Sequence, residues 1–142
     1  MGEARSVVIE YLISLYEAKK AVLVEFPQLG SLSQIVLAAR RGSVSRRGEI
    51  GGKFKYSVHG VGCLFEDSRG REVDVDFADD GAEIFDAWRI LRFAESLENA
   101  SPVDADAVQM RCRAMVEQRL LREVRPGWFS CEAAVSIDNY RE

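Results

Sequence analysis

Apolar side chains recur at Val8, Leu12, Leu15, Val22 and Phe26, with Val7 and Tyr11 beside them. Steps of three, four and seven lay these on one helical stripe, and Glu17, Lys19, Lys20 and Glu25 fall away from its centre. The spacing predicts a helix over 4–25 that stops before Pro27, because the residue preceding a proline is pushed out of helical dihedrals. Ser31 and Gln34 match a capping box, and Leu32, Ile35, Val36 and Ala39 carry a second helix to a stop at Gly42. Residues 4–41 therefore read as an N-terminal helical hairpin.

Residues 42–52, rich in glycine, serine and arginine, read as a flexible basic loop. The period then becomes two: Phe54, Tyr56 and Val58 alternate with Lys53, Lys55 and Ser57, as in a half-exposed strand. The alternation resumes on odd numbers at Val61, Cys63 and Phe65. A β-bulge or a break between two strands flips parity in this way, and glycine tolerates the bent backbone, so a bulge is expected near residues 59–62.

Asp67 and Arg71 flank Ser68-Arg69-Gly70, a three-residue hairpin loop with glycine where a left-handed conformation is required. That loop sets Phe65 opposite Val73, Cys63 opposite Val75 and Val61 opposite Phe77, all on one face, with Asp74 and Asp76 on the other. A one-residue slip would scatter the apolar set across both faces. A small antiparallel sheet over 53–78 follows, then two helices over 84–123. The first runs over 84–97 with Trp88 in the core; Ser101 caps the second, with Pro102 at its first position. Phe129, Cys131, Ala133, Val135 and Ile137 alternate, which predicts a late strand over 128–137. The fold class is α+β, in a single domain over 1–142.

Composition narrows the function classes. A formal charge of −4 and a pI near 5.2 argue against sequence-independent nucleic-acid binding, which needs a positive field to displace counterions. The basic stretch 40–55 offers only Phe54 and Tyr56 for stacking. Cys63, Cys112 and Cys131 are odd in number and far apart, as expected for reduced thiols rather than a disulfide framework. Glu10 interrupts the early apolar run, so no secretory leader is expected, and no stretch reaches the ~20 apolar residues of a membrane span. A cytoplasmic location is expected.

Chemistry-bearing residues concentrate in three short elements: His59-Gly60-Val61-Gly62-Cys63, Val73-Asp74-Val75-Asp76-Phe77, and Phe85-Asp86-Ala87-Trp88-Arg89. Here the chain resembles a family of small bacterial proteins of unknown function that share these three elements. The resemblance covers about a quarter of the chain and departs from the family pattern at Ile84, where a glycine is expected. It implies no established activity and transfers no catalytic role, although small bacterial proteins of this kind are often immunity partners of toxins.

A nucleophile–base pair of His59 and Cys63 would need the thiol within hydrogen-bond reach of the imidazole, and four residues of extended strand span roughly 13 Å. A metal held by His59, Cys63, Asp74 and Asp76 would need ligands to converge from two faces of one sheet. No metal or cofactor is implied. Nine acidic residues between Glu66 and Asp86 face only Arg69 and Arg71, and such a field suits docking of a basic partner. Asp86 suits the start of a helix, and Arg89 is placed to pair with Asp74 or Asp76. The leading expectation is a protein-binding module, an immunity-type inhibitor or regulator. Its binding residues would be Asp74, Asp76, Asp79, Asp80 and Arg89, and its partner a protein with a basic surface, such as a toxin. The alternative is an enzyme, a hydrolase or metal-dependent, with a site around His59 and Cys63.

Overall fold

The computed structural model describes residues 2–96, 103–132 and 135–140. It opens on α1 (Gly2–Glu25), which buries Val8, Tyr11, Leu12, Leu15, Ala18 and Val22 along the expected stripe. Phe26, held before Pro27, leaves helical dihedrals at φ −125, ψ 69, and a short 3-10 turn over Pro27–Leu29 leads on. In α2 (Gln34–Arg40) the N-cap is Ser33 rather than Ser31, and no side chain caps it. The capping box is absent because the Gln34 amide already donates to the Ser31 carbonyl at 3.2 Å, while the Ser31 and Ser33 hydroxyls meet at 3.3 Å.

Seven strands pair antiparallel in the order β1-β2-β3-β4-β5-β7-β6. They are β1 (Arg47–Ile50), β2 (Phe54–His59), β3 (Gly62–Asp67), β4 (Glu72–Phe77), β5 (Glu83–Asp86), β6 (Leu121–Arg125) and β7 (Trp128–Cys131). The fold is α+β. The inner face carries Phe54, Tyr56, Val58, Cys63, Phe65, Val73 and Val75, which join the apolar sides of the helices in one core.

Several local expectations change. Residues 42–52 are not wholly a loop, because 47–50 form β1, whose Ile50 is fully buried. Gly51 and Gly52, at φ 58 and 65, turn the chain back into β2. The expected bulge at 59–62 is a hairpin turn: His59 pairs with Gly62, and Gly60-Val61 form the tip. Val61 lies opposite Phe77, as expected, and its carbonyl accepts the Phe77 amide at 3.2 Å, but at the tip it is 59 % exposed instead of joining the buried set. The β3–β4 register is the expected one, with Cys63 opposite Val75 and Phe65 opposite Val73. Asp67 locks that loop by accepting Arg69 N at 2.9 Å, Arg71 N at 3.0 Å and Arg71 Nε at 2.6 Å.

The segment expected to be helical from residue 84 begins as β5, and α3 (Ala87–Glu95) follows. Asp86, in extended dihedrals, caps α3 by accepting the Arg89 amide at 3.0 Å, so the helix cannot start earlier. Trp88 is not in the core but 70 % exposed. The buried stripe is Ala87, Ile90, Phe93 and Ala94, and Trp88 stands one residue off it, roughly 100° around the helix.

The proposed cap at Ser101 and Pro102 lies outside the described residues. The observed cap of α4 (Ala105–Glu117) is Asp104, which accepts the Ala107 amide at 2.7 Å. That helix stops at Glu117 rather than at residue 123: Arg119, at φ 62, reverses the chain and Leu121 enters β6 opposite Cys131. The late strand is shorter than 128–137. Beyond β7, the alternation at Ala133 lies outside the described residues, and Ile137–Tyr140 form a 3-10 turn.

Candidate functional site

The outer face of the sheet holds the residues that strand parity sends away from the core. His59 closes β2, Gly62 opens β3 opposite Asp76, and Leu64 stands opposite Asp74. Gly62 is required by space rather than by dihedral angle. A Cβ built there would collide with the Val75 backbone carbonyl and lie 2.6 Å from Asp76 Oδ1, so the missing side chain makes room for both the β4 backbone and the carboxylate.

Arg89, in the first turn of α3, reaches over this face. Its Nη2 lies 3.2 Å from Asp76 Oδ1, its Nη1 3.2 Å from Asp86 Oδ1, and its Nε 4.0 Å from Asp74 Oδ2. One turn on, Arg92 approaches Asp74 Oδ2 at 3.6 Å and Glu72 Oε2 at 3.7 Å. His59 Nε2 lies 3.0 Å from Asp74 Oδ1. The Arg89 guanidinium also lies 4.6 Å from the centre of the Trp128 ring, which Arg125 approaches at 4.9 Å. Burial works against the Arg89 charge, but Asp76, Asp86 and Asp74 outweigh it and raise the guanidinium's affinity for its proton.

The candidate binding residues therefore divide. Asp74, Asp76 and Arg89 come together with His59, and Asp74 is only 8 % exposed. Asp79 and Asp80 sit apart, on the turn between β4 and β5. Asp80 Oδ1 accepts the Ala82 amide at 3.0 Å, and Arg122 lies 3.4 Å from its other oxygen; both hold this carboxyl below its usual range. Asp79 is exposed.

His59 and Cys63 point to opposite faces of the sheet. Cys63 is fully buried, and burial pushes its thiol up to about 12, with Asp74 adding to the effect. Among the described residues, no group of three or more His, Cys, Asp or Glu side chains is placed to hold a metal ion. Among them, too, no helix is long and apolar enough to cross a membrane. Sequence reasoning missed Arg92, Trp128 and Arg125. Only Arg92 had a local signal, its i,i+3 spacing from Arg89.

One family model, described as a domain of unknown function (DUF6896), matches residues 4–130. No curated protein and no solved structure matches the chain.

Proposed function

Since the chain belongs to the DUF6896 family, whose description names no activity, we propose a function from the geometry: it is a protein-binding module that inhibits or regulates another protein. The observation that carries this reading is Trp88, 70 % exposed at the start of α3 in a chain that buries Phe65, Phe85, Phe93 and Phe129 completely. Tryptophan and arginine dominate binding hot spots, and a large apolar ring left in water gains most from being covered. The charge network fixes the helix start that carries the ring, with Asp86 capping it and Arg89 tying it to β4. A ring on a fixed platform loses little freedom when a partner covers it.

The acids at Asp79 and Asp80, with the formal charge of −4, favour a partner with a basic surface. In its specific form the reading is a bacterial, cytoplasmic inhibitor of the immunity type, with a toxin as target. The enzyme alternative has less support, because His59 and Cys63 lie on opposite faces and the thiol is held protonated. Affinity capture from source cells with wild-type, Trp88→Ala and Cys63→Ala bait tests the reading. A stoichiometric partner held by wild type and Cys63→Ala but lost from Trp88→Ala is expected. A folded Cys63→Ala protein that alone loses its partner or activity would overturn it.

A further inference from the structure

Beside the acidic turn lies a groove of about 360 Å3, lined by α2, the β2–β3 tip and the β4–β5 turn. Leu37, 43 % exposed, Val61, 59 % exposed, and half-buried Phe77 give it an apolar wall. Asp79 and Asp80 give it an acidic one. The walls are set by backbone contacts. The Phe77 amide donates to the Val61 carbonyl at 3.2 Å, which ties the hairpin tip to the end of β4. Gly81, at φ +87, brings the turn so close to α2 that a Cβ there would lie 2.9 Å from Ser33 Oγ. The groove is therefore formed before anything enters it, which lowers the ordering cost of binding.

Its charges are unevenly engaged. Arg40, also in the lining, directs Nη2 to the Gly60 carbonyl at 3.4 Å. Asp80 has Arg122 at 3.4 Å, whereas exposed Asp79 has no ion-pair partner among the described residues. A cation entering the groove meets a free carboxylate next to uncovered apolar surface. Resting on the protein-binding reading, we propose that this groove is the docking site for an extended partner segment in which an apolar side chain neighbours a Lys or Arg. The apolar side chain covers Leu37, Val61 and Phe77, and the cation pairs with Asp79 and Asp80.

A random peptide library displayed on phage and panned against the intact protein provides the probe, with Leu37→Glu, Asp79→Lys and Trp88→Ala as comparison surfaces. All three positions are exposed, and unchanged thermal unfolding confirms that each variant folds. Enriched peptides should pair an apolar residue with a basic one. Synthetic copies should bind about ten-fold more weakly to Leu37→Glu and to Asp79→Lys and lose affinity with added salt. Peptides that bind Leu37→Glu as well as wild type overturn the groove. If those peptides lose affinity for Trp88→Ala, the protein-binding reading survives without it. Enrichment of nothing, or of peptides indifferent to all three changes, removes both. A concentration-dependent dimer in sedimentation, abolished by Leu37→Glu, would assign the groove to a second copy and overturn the partner-segment proposal.

Discussion

The Tyr11 hydroxyl of α1 donates to the backbone carbonyl of Asp74 at 2.5 Å, across 63 residues of chain. β5 pairs with β4 at Asp76 and Phe77, and among the described residues no strand covers the β4 edge beyond Asp76 on that side. The phenol supplies the hydrogen bond a neighbouring strand would otherwise make, and Ser96 Oγ accepts from the Glu72 amide at 3.3 Å further along. The carbonyl that binds the helix and the carboxylate that meets His59 belong to the same residue. Burial, reinforced by Asp74, raises the phenol well above its ordinary value, so it remains a donor. Tyr11→Phe should cost about 1–3 kcal/mol, the penalty for leaving a buried acceptor unpaired. Urea unfolding should show a lower midpoint with an unchanged slope; an unchanged midpoint would mean that water takes over the bond.

The glycines at the β2–β3 tip separate two physical causes. Gly60 has φ +50 and open space around it, whereas Gly62 has an ordinary φ and no space. Gly60→Ala should cost about 1 kcal/mol from backbone strain alone. Gly62→Ala would press a Cβ on the Val75 backbone carbonyl as well as on the Asp76 carboxylate and should cost about 2–3 kcal/mol, as overpacking does. Because the Val75 carbonyl stays in place, pairing Gly62→Ala with Asp76→Gly should recover little of that loss, and a Gly62→Ala protein as stable as wild type in urea unfolding would contradict the steric cause.

Much of the fold can be read from local patterns wherever two independent signals coincide. The Ser68-Arg69-Gly70 loop and the apolar set at Cys63, Phe65, Val73 and Val75 demand the same register, and the β3–β4 hairpin has it. Where one signal stands alone, the reading drifts. Ile50 is the sole apolar residue of β1, and Ile84-Phe85 fit a helix start as well as a short strand. The helical spacing of α4 runs on into Leu121, and only the reversal at Arg119 separates them. Strand parity brings Asp74 and Asp76 to one face from sequence alone. The same count applied from Val58 puts His59 there too and detaches it from Cys63. Trp128 and Arg125 reach Arg89 because β7 lies beside β5, a long-range pairing that no local pattern encodes.

Arg89 serves three carboxylates at once, so its loss differs from the loss of a surface ion pair. Arg89→Gln should cost about 2–3 kcal/mol, below the value for a fully buried pair because water can reach part of the site. Arg89→Lys should rescue little, since one ammonium cannot match a fork that also stacks on Trp128. The double change Asp74→Asn, Asp76→Asn should destabilise as well, leaving Arg89 with Asp86 as its remaining partner. A double-mutant cycle between Asp76→Asn and Arg89→Gln should give a coupling above about 1 kcal/mol. Zero coupling would mean that these carboxylates are free for docking after all.

The thiols supply a pH-dependent test of where the chemistry lies. Burial pushes Cys63 and Cys112 from 9.0 up to about 12, and Cys131 up to about 11. Each native thiol holds its proton above the pH at which the unfolded chain releases it, so the unfolded state binds fewer protons in that interval. Stability is therefore fully present below pH 9 and falls as pH rises from 9 towards about 12. Each thiol contributes a slope of about 1.4 kcal/mol per pH unit within its own interval. Cys63→Ala should lose about 1–3 kcal/mol at neutral pH through the cavity it leaves. Above pH 9 its decline should be shallower than wild type by one thiol's share. In the native protein at pH 8, iodoacetamide should modify none of the three thiols rapidly, and all three should react once urea unfolds the chain. Rapid modification of Cys63 in the folded protein would reveal a thiolate near neutral pH and return the argument to an enzyme at that residue.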